Sequence, residues 1–352
     1  MSLKKNSNSH SNHNTLLRKK ILQWYDKNGR KLLPWKTNDI YKIWISEVML
    51  QQTQVKTVIP FYKKFIKRYP TLKSLSNATL DDIFNLWSGL GFYRRAENIY
   101  KTSQIIKNSF MNKFPTNYDD VIKLPGIGRT TASAILTFSD NDNLPILDGN
   151  IKRLLSRIYM IDTSNYSSQT EKDLWLYSEK MLPDVRAADF IQGLMDIGNL
   201  ICIKNKPNCE ICPLTGSCQS YKNNRYLDLS FKKTVKKAFE EVWVLAILDN
   251  NQRIFLERII FKNLWRGLYS SPIFTSKNNM REWLSNYNLL GDLKKDKWDF
   301  LHKLSHKDFL FHIQLCHIKS NKKISLMGDN WYNLSNIGQG TPKFQEKIIN
   351  GL

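Results

Sequence analysis

The sequence predicts a multidomain chain, an all-α part followed by a small α+β part, on three observations. The chain has 352 residues, more than one ordinary core takes and a natural size for two domains. From residue 15 to about 220, apolar residues recur at three- and four-residue spacing with few alternating runs. Beyond residue 240 the pattern turns to short alternating runs bounded by turn residues. Hydrophobic residues at 41% and charged ones at 24% are those of a globular protein and exclude a wholly disordered chain.

Fifty-three Lys and Arg against 31 Asp and Glu leave a net charge of +22 and a pI near 9.7. Such an excess fits a polyanionic partner, most simply nucleic acid, although coding bias toward Lys, Asn and Ile would also raise it. No apolar run approaches the roughly 18 to 20 residues that span a bilayer, so no membrane association is expected. Residues 1–15 carry no signal-peptide stretch and read as a disordered polar tail. Four of the five cysteines crowd into one short segment, which is not a secreted disulfide framework and points to a reducing cytosol.

Within the helical part, IWISEVMLQQTQV (43–55) places Glu47 as the only charge in an apolar helical run. Burial disfavours the ionised carboxyl and prepares a general acid near neutral pH. Gln51 and Gln54 are expected on the same helix face, within reach of a polar ligand. A buried Glu paired with a Lys or Arg is the alternative. LPGIGRTTA (124–132) joins two helical segments, with Gly126 and Gly128 allowing backbone closed to other residues. Its main-chain N–H groups, at the start of the next helix, suit a backbone phosphate. A tight helix–helix turn would need the same glycines.

PILDGNIKR (145–153) puts Asp148 and Gly149 in a turn before a helix whose stripe is Ile151, Leu154, Leu155 and Ile158, with Asn150 expected as N-cap. Asp148 either closes an Asx-turn or stands opposite Glu47 as a second carboxylate. One acid and one anion is the division of labour that cleaves glycosidic bonds. Cys202, Cys209, Cys212 and Cys218 form C-x6-C-x2-C-x5-C, a tetrahedral sulfur site for zinc or an iron–sulfur cluster. Residues 221–240 carry six basic residues and little periodicity and read as an exposed linker. Strands are expected at 242–248, 253–259 and 309–318, with a hairpin turn at DNNQ and a helix at 280–287.

SEVMLQQTQV, LWSGLGFYRRA, LPGIGRTTA, LDGNIKR and the four-cysteine loop, in that order and spacing, resemble the MutY-type adenine DNA glycosylases of the helix-hairpin-helix superfamily, over about residues 16 to 340. The resemblance implies a glycosylase region at 16–220 comprising a six-helix barrel and a cluster domain holding one [4Fe–4S] cluster. It further implies a basic linker at 221–240 and a Nudix-like lesion-recognition domain at 241–352. The implied reaction is excision of adenine opposite 8-oxoguanine or guanine in double-stranded DNA, by a monomer in the bacterial cytosol, nucleoid-associated. Glu47 would protonate the base, Asp148 would stabilise the sugar cation and Asn150 would position the site. Gln51 and Gln52 would probe the base pair, and Gly126, Gly128 and Thr130 would meet the DNA. Phe92, where the family usually has tyrosine, would wedge beside the lesion. Ser305 and His306 would read it, although Leu304 replaces the usual aromatic residue.

LWRGLYSSP (264–272) matches the segment shared with Nudix hydrolases, but no Glu-rich metal box follows, so pyrophosphatase activity is not expected. Two other readings are weaker. The endonuclease III family places a lysine nucleophile just after G-x-G-R, where this chain has Thr130, which forms no Schiff base. A catalytically dead DNA-binding module would not need both Glu47 and Asp148.

Overall fold

The computed structural model describes residues 3–140, 142–163, 166–229, 237–260, 264–304, 307–338 and 340–352, with side chains from His13 onward except at 322 and 326. Ser305, His306 and the linker lysines Lys232, Lys233 and Lys236 lie outside the described residues. The helices of the long α-part are α1 (Leu3–Asn28), α2 (Ile40–Leu50), α3 (Val55–Arg68), α4 (Leu72–Ser76), α5 (Leu80–Trp87) and α6 (Arg94–Ser109). They continue with α7 (Tyr118–Val121), α8 (Arg129–Phe138), α9 (Gly149–Tyr159), α10 (Ser168–Met181), α11 (Ala187–Leu200) and α12 (Gln219–Lys222).

The chain divides into two compact units: Met1–Ser76 with Lys101–Lys233, and Asn77–Tyr100 with Thr234–Leu352. In the first unit, α1, α9, α10 and α11 bury Leu17, Ile21, Leu155, Leu174, Phe190 and Ile197 in one core. Each such side chain contributes about 1.5–3 kcal/mol by leaving water. The expected stripe Ile151, Leu154, Leu155 and Ile158 is buried there.

Three expectations for this unit change. α1 begins at Leu3, inside the stretch read as a tail: no Pro or Gly interrupts residues 3–28. The Asn14 amide donates to the Lys180 carbonyl and its oxygen accepts from the Tyr159 hydroxyl. The N-cap of α9 is Asp148 rather than Asn150, because the Asp148 carboxylate accepts from the Ile151 N–H at 2.7 Å. α2 ends at Leu50, so Gln51 is its C-cap and Gln54 precedes α3. They do not share a helix face with Glu47.

The second unit holds a sheet of β1 (Ala238–Asp249), β2 (Arg253–Phe255), β5 (Ile273–Phe274), β6 (Leu293–Lys303), β7 (Lys307–Ile318) and β8 (Trp331–Asn333). The order is β6-β7-β1-β2-β8, with β5 also on β1; β7 runs parallel to β1 (Val244↔Ile313) and the other pairs are antiparallel. β3 (Glu257–Arg258) and β4 (Tyr269–Ser270) form a separate ladder. The helices here are α13 (Lys277–Asn286), α14 (Asn321–Leu326) and α15 (Lys343–Ile349).

The strand expected at 253–259 is therefore two strands in two ladders. β1 starts inside the expected linker, where Leu229 is also buried. β6 was not expected: LKKDKWDFLHK has too many charges to alternate clearly, which suits a strand bonded on one side only.

The larger departure is that residues 77–100 group with the C-terminal part, not with the flanking helices. α5 carries the reason. Its Phe84 is buried, and a Cβ on Gly340 would lie 2.7 Å from Phe84 Cβ and 3.1 Å from its carbonyl carbon. The Asn85 amide donates to the Gly338 carbonyl at 2.7 Å, and Arg258 pairs with Asp81 at 2.6 Å. Gly340→Ala should therefore lower stability by about 1–3 kcal/mol, because backbone rather than a flexible side chain must yield. Urea denaturation followed by tryptophan fluorescence measures this, and an unchanged midpoint would show that Phe84 is not seated against Gly340.

Candidate active site

α2 starts where the Asp39 carboxylate accepts from the N–H groups of Tyr41 (3.1 Å) and Lys42 (3.3 Å). It then buries Ile43, Trp44, Ile45, Val48 and Met49. Glu47 is half-buried among them and, among the described residues, has no hydrogen-bond partner. Burial first, and the negative charge of Asp148 second, push its carboxyl up to about 7. The two carboxyl groups singled out from separate motifs thus lie within electrostatic reach of each other.

Asp148 is bound differently. One oxygen caps α9 at Ile151 and the other accepts from the Asn150 amide at 3.2 Å. Burial raises its pKa, while those hydrogen bonds and the nearby Arg153 favour the anion. Asn150 is in turn held by Arg153, which donates to its carbonyl oxygen at 3.1 Å. Gly198 lets α11 come close: a Cβ there would lie 3.0 Å from Asn150 Cβ.

Glu47 lines a cleft of about 350 Å³ shared with Arg30, Trp35, Lys36, Asp189 and Gln192. Behind it, fully buried Asp196 accepts from the Arg30 N–H (2.8 Å), the Arg30 guanidinium (2.6 and 2.9 Å) and the Gln192 amide (2.9 Å). None of these cleft residues was singled out from sequence. GRKLLPW (29–35) and the two aspartates of ADFIQGLMDIG (188–198) are the traces they leave.

The hairpin joins this site. Gly126 is left-handed (φ +78°), so its glycine is conformational. Gly128 is not: φ is −96°, any residue could adopt it, and a Cβ there would meet nothing within 4 Å. It caps α8 without a side-chain hydrogen bond, leaving that helix start open. Gln51 donates to the Gly126 carbonyl (3.3 Å) and the Thr131 hydroxyl (3.2 Å), tying the end of α2 to the hairpin. Gln52 follows, exposed and left-handed (φ +57°). The Thr130 hydroxyl donates to the Leu147 carbonyl at 3.2 Å, beside Asp148.

Cys202, Cys209, Cys212 and Cys218 line one cavity with Arg157 and Tyr221. Burial, and the neighbouring cysteines, push the Cys212 thiol up to about 11 and raise that of Cys209. Buried Arg157 donates to Cys202 Sγ at 3.2 Å and to the carbonyls of Ile203 and Lys204. Among the described residues no three His, Cys, Asp or Glu groups stand together as a single ion requires. Phe92 belongs to the second unit, at the tip of the turn between α5 and α6.

Residues 45–180 match the HhH-GPD superfamily of base excision DNA repair proteins. The chain is 45% identical to an adenine DNA glycosylase of Buchnera aphidicola from Schizaphis graminum, covering 94% of this chain and 96% of that protein. It is 47% identical to that of Buchnera aphidicola from Baizongia pistaciae, covering 92% and 93%. Among solved structures, a thermostable thymine-DNA glycosylase aligns with 26% identity and a TM-score of 0.56, over 61% of this chain and 99% of that one. The paired carboxyl groups, the glycine hairpin and these likenesses have one meaning: the chain is a DNA N-glycosylase of base excision repair and belongs to the adenine DNA glycosylase family.

Proposed function

We propose that the chain removes adenine mispaired with 8-oxoguanine or guanine from double-stranded DNA, with Glu47 as general acid and Asp148 as the stabilising anion. The observation that carries this is the unequal treatment of two neighbouring carboxyl groups. Glu47 has burial and a like charge to keep its proton near neutral pH, while Asp148 spends both oxygens on N–H donors. A proton from Glu47 to the base makes adenine a better leaving group. Asp148 then faces the oxocarbenium-like sugar, oriented by Asn150. The base must leave the stack, at a few kcal/mol that a mispair reduces. The cleft beside Glu47 supplies an aromatic face in Trp35 and a fixed amide in Gln192.

The open start of α8 at Gly126 and Gly128 suits a backbone phosphate. Gln51 braces the hairpin, and the exposure of Gln52 supports its entering the duplex. With the Thr130 hydroxyl beside Asp148 and no amine in its place, the chemistry is monofunctional. The lesion-reading part of the proposal rests on the family resemblance: a Nudix-like second unit, with Phe92, Ser305 and His306 against the 8-oxoguanine.

The four thiols on one cavity are the donor set that a [4Fe–4S] cluster takes. When bound, the cluster supplies a covalent clamp on the loop. We also assign the chain as a monomer of the bacterial cytosol; among the described residues no helix is long and apolar enough to cross a membrane.

Glu47→Gln should lower single-turnover excision by about 10²–10⁴-fold on duplexes carrying adenine opposite 8-oxoguanine or guanine, with duplex binding retained. Rates within threefold of wild type would reject the acid assignment. The same carboxyl sets a pH dependence. Its folded pKa, about 7, lies above its ordinary 4.5, so its stabilising contribution is full below 4.5 and lost as pH rises through 7. Glu47→Gln should thus melt above wild type at pH 8, and the two should converge below pH 4.5. Purified protein should contain iron and acid-labile sulfide, about four of each per chain. Stoichiometric zinc without sulfide would reject the cluster.

A further inference from the structure

Phe92 sits in a turn held both from within, where the Trp87 indole N–H donates to the Gly91 carbonyl at 3.0 Å, and from far along the chain. Gly89 (φ +92°), Gly91 (φ +80°) and Phe92 (φ +51°) are all left-handed, and at Phe92 a non-glycine residue keeps that conformation only where its surroundings fix it. The Phe92 ring is 48% exposed and anchors little. Buried Arg95 holds one side. It donates to the carbonyls of Gly91 (2.9 Å) and Phe92 (3.4 Å) and lies 5.3 Å from the Phe92 ring and 5.4 Å from that of Trp87.

The other side is held from the C-terminal part of the chain. The Tyr93 hydroxyl accepts from the Gly89 N–H at 3.4 Å and donates to the Thr341 carbonyl at 2.8 Å. One hydroxyl therefore ties the start of the turn to a buried carbonyl some 250 residues away in sequence. The Ser88 hydroxyl approaches the same carbonyl and Glu346 Oε1, each at 3.4 Å. Thr341 follows Gly340, whose missing Cβ admits Phe84, and the Gly340 carbonyl accepts from the Tyr269 N–H at 3.0 Å. The anchor is thus built into the second unit and does not depend on DNA.

We infer that Tyr93 is a positioning residue, which with the Thr341 carbonyl sets the conformation of the turn that presents Phe92. C-terminal residues then act on adenine extrusion opposite any base, not on lesion choice alone. The inference rests on the reading of Phe92 as the residue that wedges into the duplex.

The test is a double-mutant cycle in the full-length chain, with Tyr93→Phe, Phe92→Ala and both together. Tyr93→Phe keeps the ring and loses only the hydroxyl. It should slow single-turnover excision from an adenine–guanine duplex about fivefold to tenfold, the value of one hydrogen bond, with the melting temperature little changed. In the Phe92→Ala background the same change should cost less than twofold, because the group being positioned is gone. Equal losses in both backgrounds, or no loss in the first while Phe92→Ala is slow, would overturn the inference. A second readout needs no activity. With 4-fluorophenylalanine at position 92, Tyr93→Phe should shift or broaden the ¹⁹F resonance of the free protein, and an unchanged resonance would also overturn it. If Phe92→Ala alone proves as fast as wild type, the wedge reading fails, and the ¹⁹F signal still decides whether Tyr93 holds the turn.

Discussion

A half-buried carboxyl group that feels the charge of a second is the constraint on which the first unit is built. Ionised, such a group is costly unless paired, so the surroundings decide which of the two keeps a proton. α2 encloses Glu47 with apolar side chains and offers it no donor among the described residues. The start of α9 gives Asp148 a backbone N–H and the Asn150 amide. A third carboxylate, Asp196, is deeper still, and Arg30 and Gln192 both donate to it. It serves the cleft by holding those two side chains still.

α9 carries this arrangement into the cysteine loop. Asn150, Arg153 and Arg157 follow at three- and four-residue spacing, so they share one helix face. Arg153 donates to Asn150, to the Gly198 carbonyl and to the Cys202 carbonyl; Arg157 donates to Cys202 Sγ and to the two carbonyls that follow. The helix that caps itself with Asp148 is therefore the helix on which the cysteine loop hangs. A loop that loses its clamp would disturb Asn150 first, through Arg153.

The second unit shows that a helix can take its packing partners from far along the chain. LWSGLGFYRRA lies between helices of the first unit in sequence, and its helical pattern is the same as theirs. Its Tyr93 donates to Thr341, and just before it Asp81, Phe84 and Asn85 meet Arg258, Gly340 and Gly338. Hydrophobic periodicity reports which face of a helix is buried but not what buries it. Gly267 and Gly340, which carry no periodic signal at all, both lie against Phe84.

From the sequence alone came the all-α and α+β division, the helix containing Glu47, the left-handed glycine of the hairpin, the cysteine quartet and the family. These are local properties: capping, turn chemistry and ligand spacing act over a few residues and leave their marks in order along the chain. Tertiary structure decided the rest. It ended α2 at Leu50 and turned Gln51 toward the hairpin rather than along the face of Glu47. It made Asp148 the cap of α9, and it gathered Arg30, Trp35 and Gln192 around one cleft. It also joined residues 77–100 to the C-terminal sheet unit. The physical reason is the same in each case: a polar group pairs with whatever partner the fold brings to it, and that partner's distance along the chain, 75 residues for Gln51 and Gly126 or 248 for Tyr93 and Thr341, is invisible to any local pattern.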